Sequence, residues 1–199
     1  RQRQMCIRDR YKVRTIMHIV ECYALSCGLK IDKPYIPQEE IDLPSGKYIT
    51  FHPDCAKGNT RSYIYWETVL EKVSDLGYEI VRVGTDEPQQ DFEGINIEYF
   101  HSLNTRQLTY LIDNASLHLG YDSLPVHIAS ALGKKIVCVY SVYSSHSYPF
   151  WSKKEDIRLH EPDWSEHRPS FNYFEQNPII NTIDHNEVSS SVIELLTEG

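Results

Sequence analysis

"LGYDSLPVHIASALGKKIVCVYS", Leu119 to Ser141, decides the fold. An apolar run stops at Gly120, and an acid and a hydroxyl follow at Asp122 and Ser123. Leu124 and Pro125 then open a helical pattern that carries His127 and stops at Gly133, and "KIVCVYS" (135–141) is a second apolar run. Two short strands joined by a helix of this length form a right-handed crossover, which lays the strands parallel.

The same alternation extends outward on both sides. "KYITFH" (47–52), "YEIVRVG" (78–84), "INIEYF" (95–100) and "SLHLG" (116–120) read as strands, and "DIRLHE" is a further strand candidate. Between them, residues 62–76 place Ile64, Tyr65, Val69, Val73 and Leu76 at helical spacing, ending at Gly77. "NTRQLTYLIDNA" is a helix with Asn104 as its N-cap and Leu108, Leu111 and Ile112 as core residues. Residues 161–182 read as loop and Asn186 to Leu196 as a closing helix. The fold class is therefore α/β with a mostly parallel sheet, and ligands of such sheets bind beyond the carboxyl ends of the strands. Toward the start, residues 12–28 form an amphipathic pattern closed by Gly28, and "KIDKPYIPQEEIDLPSG" follows as a linker with three prolines. "RQRQMCIRDR" (1–10) has no apolar period. Its Met-Cys-Ile-Arg-Asp-Arg resembles a translated sequencing-library adapter, so a non-native tail is expected there, with a disordered basic tail as the alternative.

Composition narrows the partners. The 199 residues carry a net charge of −8, with 41% hydrophobic and 24% charged residues, and show no Lys/Arg block. No nucleic acid is expected to bind through a basic face. The longest apolar runs fall short of the roughly 18–20 residues needed to span a bilayer, so no transmembrane segment is expected. A cytoplasmic protein is the expectation, with a peripheral place at the inner membrane face as the variant. Cys6, Cys22, Cys27, Cys55 and Cys138 are odd in number and form no CxxC pair, which favours free thiols over a disulfide or zinc framework.

Taken alone, Gly120 to Gly133 suggest an anion site. The glycine permits a sharp turn or a close approach to a ligand, and the amides of the following helix carry the positive end of its dipole. A phosphate suits that place, with the His127 ring within reach of the same anion or of a sugar hydroxyl. The plainer alternative is that Asp122 and Ser123 only cap the helix and His127 is a hydrogen-bonded, half-buried ring.

"GYDSLPVHIASALGKKIVCVYS" resembles the signature of glycosyltransferase family 9, the heptosyltransferase-like enzymes. Gly120, Asp122, Ser123, Pro125, His127, Ala129, Ala131, Leu132 and Gly133 fall on it in register, while Tyr121 replaces an Asn and Leu124 a Gly. "HPDCAKGNTRSYIYWETVLEKVSDLGYEIVRVG" is similar to the family's first strand and helix of the C-terminal domain. His52, Pro53 and Asp54 stand at its Asn-Pro-Gly position, and Lys57 and Arg61 are the candidate diphosphate cations. Both could instead be surface charges. In "VGTDEPQQ", Glu87, with Asp86 as the alternative, stands where the family carries a ribose-binding acid; a solvated loop acid is the plainer reading. Ser141, Ser144 and His146 lie on a loop that runs beside the donor in the family.

The resemblance implies a Rossmann-like domain with helices on both faces, the C-terminal domain of a GT-B fold. Residues 11–46 would be the end of an N-terminal domain and the interdomain linker, and 47–199 the nucleotide-sugar domain. The donor implied is an ADP-sugar, heptose-like, bound by Lys57, Arg61, Glu87, Asp122, Ser123, Leu124 and His127. The acceptor would be a saccharide of lipopolysaccharide or a related lipid-linked glycan. Transfer would be inverting, without metal or cofactor, with the general base in the N-terminal domain and no catalytic residue in this stretch, which by itself is expected to be inactive. The alternatives are a non-catalytic nucleotide-sugar binding module, a UDP-sugar epimerase-like enzyme of GT-B type, and a remnant without ligand.

Overall fold

The structure, a computed structural model, describes residues 17–54, 61–84, 92–170, 172 and 174–197. Six strands form one sheet: β1 (Tyr48–His52), β2 (Glu79–Gly84), β3 (Ile97–His101), β4 (His118–Tyr121), β5 (Ile136–Val139) and β6 (Ile157–His160). Their order is β3-β2-β1-β4-β5-β6 and every neighbouring pair is parallel. The helices are α1 (Ile19–Cys27), α2 (Trp66–Ser74), α3 (Thr105–Asn114), α4 (Leu124–Leu132) and α5 (His185–Thr197).

Strands buried on both faces are mostly apolar along their length, and β1, β4 and β5 are so because helices cover both sides, with Thr50 and His118 as their buried polar members. Alternate residues sort to the two layers. Ile49, Phe51, Leu119, Tyr121, Val137 and Val139 pack against Trp66, Val69, Leu70 and Val73 of α2 and Val188, Val192 and Leu195 of α5. Their neighbours face the other way: Ile136, Cys138 and Tyr140 meet Val126, Ile128 and Ala129 of α4, and Tyr48, Val81 and Val83 meet Leu111 of α3. Each fully buried side chain of this kind contributes about 1.5–3 kcal/mol.

Element boundaries follow local chemistry. Asn104 accepts from the Arg106 and Gln107 amides while the Gln107 side chain accepts from the Asn104 amide, a reciprocal box that starts α3. Gly28 and Gly133 close α1 and α4 in the left-handed region, at φ of 66° and 75°. Two expectations shift. The helix expected over 62–76 occupies Trp66–Ser74; Ile64 lies before it and is exposed, and Trp66 and Leu70 supply the buried stripe with Val69 and Val73. The part of the 12–28 pattern that is described forms α1, yet none of its residues is buried.

His118 is the notable polar residue of the interior. It lies on the layer of α3 and α4, fully buried, with Nδ1 at 3.0 Å from Thr50 Oγ1 and Nε2 without a partner among the described residues. Burial pushes its pKa down to about 3, and the neighbouring His52 adds to the effect. The folded chain therefore holds it neutral, whereas in the unfolded chain it takes up a proton below about pH 6.5. Its contribution is complete above pH 6.5 and is lost as pH falls toward 3, by up to ~1.4 kcal/mol per pH unit. Urea unfolding followed from pH 7 to pH 4 should show falling stability, and the slope for His118→Asn should be shallower by about one proton.

Candidate functional site

The order β3-β2-β1-β4-β5-β6 reverses its direction of winding between β1 and β4, and such a reversal opens a crevice at the strands' carboxyl ends. The edges of that crevice are His52, the last residue of β1, and Tyr121, the last residue of β4. They are held unusually close. A Cβ on Gly120 would stand 2.7 Å from the His52 carbonyl oxygen and 3.3 Å from the His52 Cβ. The glycine is needed for the approach of β1, not of a ligand.

Beyond the crevice comes the start of α4. Ser123 holds the N-cap position in extended backbone, φ −157° and ψ 176°, but its side chain makes no capping bond. Instead Ser123 Oγ lies 3.0 Å from His52 Nδ1 and 3.1 Å from the Tyr121 carbonyl. Asp122 does not cap either. Its Oδ1 is 3.2 Å from His127 Nε2, and its Oδ2 accepts from the Ser147 hydroxyl at 2.7 Å. The plain capping role is therefore set aside for both residues: they are bound to β1, to the second turn of α4 and to the loop after β5. Leu124, the first residue of α4, is exposed. The start of α4 keeps the unpaired amides and positive dipole end common to helix N-termini.

Arg61 stands on the same side. With Tyr121, Asp122, Val139, Ser141 and Val142 it lines a small recess over the ends of β4 and β5. Tyr121, at the place of the family's Asn, turns its ring inward, and its hydroxyl accepts the Tyr63 amide at 2.6 Å and the Trp66 indole N–H at 2.7 Å. That phenol fixes the start of α2, and so the chain that leads from Arg61. Lys57, Glu87 and Asp86 lie outside the described residues. Ser141 is buried at the recess; Ser144 donates its amide to Glu161, and His146 sits on the same 3-10 turn.

Sequence reasoning gave no bonding role to three groups here, although it named His52 at the Asn-Pro-Gly position. Arg82, in the apolar strand β2, is 2% exposed and forms an ion pair with Asp54 next to β1. Its guanidinium also lies 5.6 Å from the ring centres of Phe92 and Tyr99. A charge inside "YEIVRVG" was the available signal. His52, whose pKa burial lowers, is a neutral ring that locates Ser123. Ser147 comes from a loop whose path no local pattern gives. Among the described residues, no group of three or more His, Cys, Asp or Glu could hold a metal ion, and no helix is long and apolar enough to cross a membrane. Cys22, Cys27 and Cys138 are free thiols.

The family model of glycosyltransferase family 9 (heptosyltransferase) matches residues 25–173. The chain belongs to that family. No curated protein matches it. Among solved structures, it is similar to the E. coli heptosyltransferase WaaC with ADP, at TM-score 0.60 and 15% identity, over 92% of this chain and 58% of that one. The E. coli ADP-heptose lipopolysaccharide heptosyltransferase II gives 0.57 and 18%, over 84% and 56%. TibC of enterotoxigenic E. coli, an iron-containing dodecameric heptosyltransferase solved with ADP-heptose, gives 0.59 and 16%, over 86% and 53%. The chain thus spans about half the length of the structures it matches. At these identities the likeness establishes the fold of a family 9 domain, the α/β arrangement of the GT-B enzymes.

Gly120 offers a direct test of how the family 9 crevice is built. Gly120→Ala forces its methyl against the His52 carbonyl, so urea unfolding should show a loss of about 1–3 kcal/mol, the scale of an overpacked core.

Proposed function

We propose that this chain is the donor-binding half of a glycosyltransferase that moves a heptose-like sugar from an ADP-sugar to a saccharide acceptor of lipopolysaccharide or a related glycan. One observation carries the reading: Asp122 and Ser123 are drawn away to His127, Ser147 and His52, so neither caps α4 at the sheet's switch point. An uncapped helix start, with an arginine on the same rim, suits a diphosphate. The family membership and the ADP or ADP-heptose seen in two relatives of the same fold support it.

In this reading residues 47–199 are the nucleotide-sugar domain, and 11–46 the end of a preceding domain and its linker. As the acceptor hydroxyl attacks the anomeric carbon, the bond to the diphosphate breaks and negative charge gathers on the leaving phosphate. The amides at Leu124 and Val126, with Arg61 and Lys57, stabilise that charge without a metal ion. Asp122 and His127 take the sugar, and Glu87, by its place in the family's pattern, is the residue assigned to the ribose. Attack from the side opposite the nucleotide inverts the anomeric centre. The base that takes the acceptor's proton belongs to the domain facing this one, on the cytoplasmic side of the membrane.

Calorimetric titration of the chain tests the reading. ADP-heptose should bind, a UDP-hexose should bind at least tenfold more weakly, and Asp122→Ala and His127→Ala should each lower ADP-heptose affinity by about tenfold, or ~1.4 kcal/mol. Tighter binding of the UDP-sugar would transfer the assignment to an epimerase-like enzyme. Unchanged affinity in both variants would remove the site from this rim.

A further inference from the structure

The loop that joins β5 to β6 has only two short 3-10 turns, yet it is fastened at both ends and in the middle. Trp151 donates its amide to Ser130 Oγ of α4 at 3.0 Å and its indole N–H to the Asp32 carbonyl at 3.2 Å. Tyr140 donates its hydroxyl to the Ser147 carbonyl at 3.3 Å. The middle fastening is double: Ser147 Oγ donates to Asp122, and the next carbonyl, that of Tyr148, lies 2.8 Å from His18 Nε2.

His18 is an unusual partner. It is the N-cap of α1, a helix with no buried residue, yet His18 itself is 1% exposed. Its burial comes from the loop: the ring stands edge-on to Tyr148 at 4.5 Å and tilted over Phe150 at 4.7 Å. Its protonation follows from its bonds. The Val20 amide donates to Nδ1 at 3.1 Å, and a carbonyl can only accept from Nε2. The ring is therefore neutral with its proton on Nε2. Burial, which lowers its pKa, favours the same form, with His127 acting in the same sense and the Tyr148 carbonyl, Glu21 and Asp122 against it.

We propose that Ser147 is a positioning residue for Asp122, and that His18 acts on Asp122 through Ser147. The proposal rests on the donor-site reading above. A carboxylate only accepts hydrogen bonds and repels a diphosphate, so Asp122 belongs to the sugar end of the ligand. Two of its roughly four lone-pair positions are taken by His127 and Ser147, which sets the plane of the group and leaves the others for sugar hydroxyls. Without the Ser147 hydroxyl the carboxylate turns away from that plane. Sugar contacts weaken, while phosphate contacts at the α4 amides do not depend on it.

The experiment measures ADP-heptose and ADP in parallel, by calorimetry on the full chain. Ser147→Ala should weaken ADP-heptose by about tenfold, the scale of one hydrogen bond to a charged group, and ADP by less than about twofold. Ser147→Thr, which keeps the hydroxyl, should restore the wild-type ratio. His18→Ala should give the same selective loss, and His18→Gln, which keeps a donor for the Tyr148 carbonyl, should recover it. The double Ala variant should be no weaker than Ser147→Ala alone, because both act along one chain of contacts. Equal losses for the two ligands, no loss, or additive losses would overturn the proposal. Thermal melting checks each variant; should an Ala variant not fold, the Thr and Gln variants decide, since loss of sugar selectivity in either counts against it. A wild-type chain that binds neither ligand would overturn the donor reading itself, a result distinct from all of these.

Discussion

The contact between the ends of β1 and β4 is the constraint from which the site follows. Parallel pairing sets His52 against Gly120, and only a residue without a Cβ lets the His52 carbonyl come so near. With that approach made, His52 Nδ1 reaches Ser123, the hydroxyl of this N-cap serine makes no capping bond, and the α4 amides are left uncapped by it. The electrostatics of the site thus begin as a packing fact in the sheet. A bulkier residue at position 120 would act on the hydroxyl of Ser123 without touching it.

Charge around the crevice is handled by pairing and by neutrality. Arg82, inside the sheet, is matched by Asp54 and flanked by two aromatic faces. His18, His52, His118 and His160 all have pKa values lowered by burial, so near neutral pH they act as neutral rings rather than as cations. That leaves Arg61 as the described cation lining the recess. On the donor reading proposed above, the acid held between two side chains would take sugar hydroxyls, and the helix start beside the arginine would take the anion.

Much of this was legible in the sequence, for identifiable reasons. The buried parallel strands are mostly apolar, Asn104 marks a helix start through its side chain, and Gly28 and Gly133 mark helix ends through their backbone freedom, so the sheet and helices emerged nearly in place. Asp122, Ser123 and His127 stood out because one strand–helix junction contains all three. Their bonding was not legible: whether Ser123 caps its helix depends on His52, which is distant in sequence and brought close only by strand order. Arg82 went unread because a charge in an apolar strand was absorbed into the pattern. Ser147 and His18 had no local signal, since each matters through a loop that follows no period. The α2 start was placed too early because Ile64 continues the helical spacing, although it lies on the exposed approach to the helix.

Tyr121 has a consequence of a different kind. The residue lines the recess, while its hydroxyl, on the inward side, holds the indole N–H of Trp66, a fully buried ring beside Phe51 and Tyr63. Indole emission responds to the hydrogen bond at that nitrogen and to the local field. On the proposed donor reading, a guest in the recess that shifts this phenol would alter the emission of a tryptophan it never touches, against the background of Trp151 and Trp164.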